Sequence, residues 1–107
     1  IGVPAGVKDG KLFFIPDYIK LSGFHLETHI REKFNIPVVI ENDVNASTLG
    51  YYSQNEEIVN ENVAAIYLGS NGPGCGILAN GNLVRGFSGF AGEIGFIKNK
   101  WYNIYVR

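Results

Sequence analysis

Three apolar residues, Val38-Val39-Ile40, run straight into Glu41-Asn42-Asp43, and a stretch able to form a helix starts at about Val44. This junction limits the fold more than any other feature of the chain. A short β-branched run is the mark of a buried strand, and a strand passing directly into a helix belongs to layered α/β structure. The polar triplet has two readings. Asn42 or Asp43 can cap the helix, since a side-chain oxygen there accepts the first free amides. Alternatively, a carboxylate at the end of a parallel strand stands where open α/β sheets bind ligands. Asp43 would then accept a proton from a hydroxyl, and Asn42 would exchange hydrogen bonds with neighbouring hydroxyls. Taken alone, the triplet is better explained as a cap.

The flanking sequence continues the α/β pattern. Asp9-Gly10 between apolar residues predicts a hairpin within Val7 to Ile15. Pro16, Ser22 and Gly23 mark a loop. Leu26, Ile30 and Phe34 recur every fourth residue and predict one stripe of a helix, begun near Ser22 or Gly23 and closed by Asn35 and Pro37. Ser53 to Asn62 is the most polar stretch and reads as a linker. Val63 to Leu68 reads as a second buried strand, followed by a glycine-rich turn from Gly69 to Gly76 and a hairpin at Asn80-Gly81. Two sheets, broken near residues 55 to 62, are expected.

Composition removes several function classes. The 107 residues are 46% hydrophobic and 18% charged, which is globular material. A net charge of −1 leaves no electrostatic footprint for nucleic acid or an anionic membrane. No apolar run approaches the roughly 20 residues of a membrane helix. Cys75 is the single cysteine, so no internal disulfide forms, and a reducing cytoplasm is expected. It reads as a small packing residue. His25 and His29 share a helix face but lack the further ligands that zinc requires. The chain has no methionine and opens in what looks like the middle of a strand, so a fragment of a longer protein is expected.

Two further segments can carry chemistry. Gly69-Ser70-Asn71-Gly72-Pro73-Gly74-Cys75-Gly76 holds four glycines in eight residues. Such a segment lets backbone amides approach an anion, although it also suits a tight turn between strands, and Pro73 removes one donor. Glu93 stands between Gly92 and Gly95, where an acid held close to the backbone can accept two hydroxyls of one sugar. A solvated loop acid is the simpler explanation of Glu93 alone.

Order and spacing say more than any one piece. "IPVVIENDVNASTLGYY" followed by "VAAIYLGSNGPGCGILANGNLVRGFSGFAGEIGF" strongly resembles the ROK family, which groups bacterial sugar kinases with sugar-responsive transcriptional repressors and other open reading frames. "IGVPAGVKDGKLFFIPD" resembles the strand and hairpin that precede the sugar site in that family. The resemblance implies part of an actin-like ATPase (ribonuclease H-like) α/β fold with two lobes. Residues 1–57 would be the second half of the N-terminal sugar-kinase lobe, and residues 58–107 would begin the C-terminal lobe.

The resemblance also implies roles. Asp43 would be the catalytic base, and Asn42, Asp43 and Glu93 would bind sugar hydroxyls. Gly69, Ser70, Asn71, Gly72, Gly74 and Gly76 would face the nucleotide phosphates. The implied substrate is a hexose or an N-acyl hexosamine, with ATP and Mg²⁺ in an intact parent. A glucokinase-like transferase is expected, inactive as this chain alone. A sugar-sensing repressor domain, or a truncated non-catalytic open reading frame held together by self-association, is the alternative.

The departures shape these expectations. The Asp-x-Gly-Gly-Thr phosphate motif is absent from the chain, and so is the Cys-x-Cys-Gly-x-x-Gly-Cys run that binds zinc in many members. Phe96 stands where "AGEIGH" has its histidine, so no zinc is expected. Asn71 and Pro73 replace Thr-Gly-Ile-Gly-like residues in the phosphate loop, and the family pattern stops after Ile97.

Overall fold

The computed structural model describes residues 1–15, 18–58, 60–70 and 72–97. Strand β1 (Gly2–Val3) leads into a hairpin of β2 (Gly6–Lys8) and β3 (Lys11–Phe13). Helix α1 (Leu26–Phe34) follows, then β4 (Glu41–Asn42) and helix α2 (Asp43–Gln54). Strands β5 (Val63–Gly69), β6 (Gly72–Ala79) and β7 (Asn82–Leu83) follow, and a 3₁₀ turn spans Ile94–Phe96. The structure is mixed α/β, as expected, but the described residues form three small sheets where two were expected. β1 pairs β4 in parallel, β2 pairs β3 antiparallel, and β5-β6-β7 is an antiparallel meander.

Both hairpins follow from turn chemistry. Asp9 and Gly10 adopt φ of 51° and 72°, and Asn80 and Gly81 adopt 51° and 74°. These left-handed pairs match the twist of the flanking strands. Helix α1 ends at Asn35 in the left-handed conformation (φ 51°), as the sequence led us to expect. Its start differs: His25 takes the capping position and makes no side-chain cap bond, so Ser22 and Gly23 lie outside the helix. The predicted stripe is used only in part. Leu26 packs on the buried cluster of Ala5, Leu12, Ile15 and Ile40, whereas Phe34 is exposed.

Two strands expected to be buried are not. In the Val38–Ile40 run, Ile40 turns into the core while Val39 is 73% exposed. Among the described residues, β1 alone pairs alongside this run, and the regular pairing shifts onto Glu41 and Asn42. In β5, Ile66 and Leu68 face outward, Leu68 at 82% exposure, because β5 has a partner on one edge alone among the described residues. The expected linker is also shorter than predicted. Ser53 and Gln54 complete α2, and a 3₁₀ turn spans Glu56–Ile58. Hydrogen bonds then tie the connection down: Asn60 N donates to the Tyr52 hydroxyl (2.7 Å), and Asn80 N donates to Asn62 Oδ1 (2.8 Å).

Helix α2 lies on β6, which joins the two halves. The glycines of β6 make that approach possible. A Cβ on Gly74 would stand 2.9 Å from Val44 Cγ2, and one on Gly76 would run into Thr48. Thr48 is 2% exposed and donates its hydroxyl to Val44 O (2.8 Å), so nothing polar is stranded at this contact.

Candidate functional site

The start of α2 is built by Asn42. Its Oδ1 accepts from Val44 N (3.0 Å) and Asn45 N (3.1 Å), satisfying two free amides of the first turn. Its Nδ2 donates to Ala5 O (3.2 Å), which fastens the cap to the chain between β1 and β2. Asn42 is therefore the cap. Its oxygen is fully used, and only an amide hydrogen remains for a ligand.

Asp43 is the first helical residue and is exposed. Its Oδ1 accepts from Val44 N (2.9 Å), leaving the second oxygen open to solvent or ligand. β1 passes close beneath, because a Cβ on Gly2 would lie 3.3 Å from Asp43 Cα.

Glu93 reaches the same region from the far end of the sequence. Cys75 N in β6 donates to Gly92 O (3.0 Å), so the loop is hydrogen-bonded to the strand that carries α2. Gly92 has φ 86°, and a Cβ there would collide with Cys75 O, so only glycine fits. Glu93 is half-buried. Burial first, and the negative charge of Asp43 second, push its carboxyl above the ordinary value of 4.5. The structure thus brings the Asp43 and Glu93 carboxyls within electrostatic reach of each other.

The glycine-rich segment divides in two. Gly69, Ser70 and Gly72 belong to the β5–β6 turn, while Asn71 lies outside the described residues. Gly74 and Gly76 do not belong to a loop. They sit inside β6, opposite Tyr67 and Ala65, where their missing side chains admit Val44 and Thr48. The turn is nevertheless near Asp43, because Gly72 is two strand residues, roughly 7 Å, from the Gly74–Val44 contact.

A cleft of about 350 Å³ runs between α2 and β5, lined by Asp43, Ser47, Thr48 and Tyr51 on one side and Ala65 to Tyr67 on the other. It is large enough for a small molecule. Asp43 stands in its wall, but Asn42 and Glu93 do not.

Sequence reasoning passed over Glu41 and Arg85. Arg85 donates to Glu41 Oε2 from Nε (3.2 Å) and Nη2 (2.6 Å). Glu41 Oε1 accepts from Asn42 N (2.9 Å) and Asn45 Nδ2 (3.3 Å). Glu41 is thus committed inside the protein and is closed to a ligand. A lone arginine in "LVRGFSG" gave no signal of its own.

Among the described residues, no group of three or more His, Cys, Asp or Glu is placed to hold a metal ion. Phe96 offers zinc no donor, and its ring packs edge-on against Phe14 at 5.5 Å. For Mg²⁺ the cleft wall presents a single carboxylate, Asp43, and no step below is routed through the ion. Among the described residues, no helix is long and apolar enough to cross a membrane.

The ROK family model matches residues 1–102. The chain belongs to the ROK family. It is 38% identical over 88 residues to the xylose repressor of Bacillus subtilis (strain 168), covering 82% of this chain and 22% of the repressor. It is 40% identical over 74 residues to the glucokinase of Halalkalibacterium halodurans, covering 69% of this chain and 22% of that protein. Among solved structures, a ROK family glucokinase from Streptomyces griseus in complex with glucose and AMPPNP superposes with a TM-score of 0.76 at 33% identity, over 91% of this chain and 31% of the glucokinase. A ROK family protein from Streptococcus pneumoniae TIGR4 in complex with sucrose gives 0.75 at 29% identity, over 92% and 33%. The fold is that of part of an actin-like ATPase, as the ROK motifs implied. The chain spans between 22% and 33% of the length of these relatives.

Proposed function

We propose that this ROK segment forms one wall of a sugar site, with Asn42, Asp43 and Glu93 as the hydroxyl-binding groups. The observation that carries the reading is the tie of both carboxylate-bearing segments to β6: Cys75 N donates to Gly92 O beside Glu93, and Val44 beside Asp43 packs on Gly74. A polyol suits that arrangement. Its hydroxyls donate to both carboxylates and relieve their repulsion, while Asn42 Nδ2 donates to a sugar oxygen. The proposed ligand is a hexose or an N-acyl hexosamine.

In an intact ROK kinase, Asp43 would remove the proton from one sugar hydroxyl as that oxygen attacks the γ-phosphoryl of ATP and ADP departs. Such transfer depends mainly on positioning and charge neutralisation. The Gly69–Gly72 turn is the proposed phosphate contact, and ATP with Mg²⁺ the proposed co-substrate of the parent. Residues 1–57 and 58–107 are proposed to belong to the two lobes. This chain alone should not turn over ATP. The cytoplasm, where ATP is available, is the proposed location.

A sugar-sensing role in a ROK repressor is the second reading. The 38% identity to the Bacillus subtilis xylose repressor is consistent with it, beside the 40% identity to a glucokinase. Both readings use the same sugar-facing groups. Self-association is part of either proposal, since among the described residues β5 is paired on one edge alone, beside the exposed Ile66 and Leu68.

Thermal unfolding with glucose, N-acetylglucosamine, N-acetylmannosamine and xylose tests the sugar site. One of them should stabilise the chain by about 2.7 kcal/mol at a hundredfold excess over Kd. No shift with any sugar, in a chain shown to be folded, refutes the reading. In an intact kinase parent, Asp43→Ala should abolish phosphorylation while sugar binding persists in weakened form. Unchanged turnover would remove Asp43 as the base.

A further inference from the structure

Arg85 touches the approaches to both carboxyls. Its guanidinium donates twice to Glu41, two residues before Asp43. Its backbone carbonyl accepts from Ala91 N (3.1 Å), two residues before Glu93. Between Arg85 and Ala91 the chain doubles back through Gly86 (φ 74°) and Gly89 (φ 79°). One residue therefore holds the strand end that delivers Asp43 and closes the loop that delivers Glu93.

The grip on Glu41 is stiff. Both Glu41 oxygens are occupied, one by Arg85 and one by Asn42 N and Asn45 Nδ2. The Glu41 side chain is 14% exposed, which shelters the ion pair on one side, against 54% for Arg85. Two donors from one planar guanidinium fix direction as well as distance, which a lysine ammonium does not. Asn42 is in turn pinned by Glu41 through its backbone amide, so displacement of Glu41 passes directly to the cap and to Asp43.

We propose that Arg85 is a positioning residue that sets the spacing of the Asp43 and Glu93 carboxyls, holding Glu41 with its side chain and Ala91 with its carbonyl. This deepens the sugar-site reading, because a ligand held by two carboxyls is sensitive to their spacing. Arg85 itself is committed to Glu41 and acts through it.

The test needs no ligand. The Glu93 carboxyl midpoint is read by ¹³C NMR in the parent chain and in Arg85→Gln, Arg85→Lys and Lys8→Gln, with folding checked by circular dichroism. The elements around Glu93 bring Asp43 from α2 and, beside Gly92, Cys75 from β6. In Arg85→Gln the two carboxyls move apart, and the midpoint falls toward the ordinary 4.5. Simple loss of a positive charge would raise it, so the sign separates positioning from charge. Lys8 donates to Phe87 O (3.3 Å) in the same loop without touching Glu41, so Lys8→Gln removes a positive charge but should not lower the midpoint. A midpoint that is unchanged or raised in folded Arg85→Gln overturns the proposal. Should that variant fail to fold, Arg85→Lys retains the charge without the fork. A smaller fall supports the proposal and no change overturns it. If the midpoint falls as expected while no sugar binds the parent chain, positioning stands and the sugar-site reading alone fails.

Discussion

Substitution of Gly76 by alanine should push α2 off β6. Gly76 has no left-handed φ, so alanine suits its backbone, and a Gly→Ala change there should by itself gain about 0.4–1 kcal/mol. The added Cβ, however, meets Thr48, standing 2.7 Å from its Cβ and 3.2 Å from its Cγ2. Thr48 is buried and bonded to Val44 O, and it has no room to turn away. Overpacking of this kind costs about 1–3 kcal/mol. The clash with a buried side chain is severe, so the upper half of that range applies, and the net loss is about 1–2.5 kcal/mol, roughly a 1 M drop in urea midpoint at a slope near 1–2 kcal/mol/M. Gly50→Ala provides the control. Gly50 lies within α2, and a Cβ there meets nothing within 4 Å. Alanine should therefore raise stability by about 1 kcal/mol through helix propensity. Opposite signs for the two substitutions are expected. A Gly76→Ala chain as stable as the parent would refute the α2–β6 packing on which the meeting of Asp43 and Glu93 depends.

Glu93→Gln should stabilise the chain at neutral pH. The folded chain binds the Glu93 proton more tightly than the unfolded chain, so this group's contribution falls as pH rises from about 4.5 through the raised midpoint. Urea midpoints measured from pH 4 to 8 should show the advantage of Glu93→Gln growing with pH, and a pH-independent difference would contradict the burial of this acid. Asn42→Ala removes a cap that satisfies two amides and should cost about 1 kcal/mol in urea unfolding; a loss under a few tenths would mean that the cap bonds contribute little in solution. Leu68→Lys charges the exposed edge strand and should shift a self-associating chain toward monomer in sedimentation velocity, whereas a parent that is monomeric at high concentration removes the premise.

Features set by neighbouring residues were legible in the sequence. The turns at Asp9-Gly10 and Asn80-Gly81, the helix end at Asn35 and the cap before Val44 all depend on local conformational preference, and each is formed where the residues indicated. Burial was not legible, because it depends on what lies alongside. Val38–Ile40 and β5 have the composition of buried strands, but each has a pairing partner on only one side among the described residues. The glycines of β6 were misread for a related reason. Gly74 and Gly76 resemble loop residues in composition, whereas what demands glycine there is a helix from earlier in the chain. Arg85 was invisible because its partner, Glu41, is 44 residues away. The resemblance, by contrast, carried the family and the fold, since it rests on the joint order of motifs rather than on any one of them.

The most direct measurement follows the Asp43 and Glu93 carboxyl resonances together by ¹³C NMR while the chain is titrated with each sugar in turn. A single sugar that moves both resonances along one saturation curve, with one Kd, is the predicted result. Movement of neither resonance, or movement of one without the other, would contradict a shared sugar site at the junction of α2 and β6.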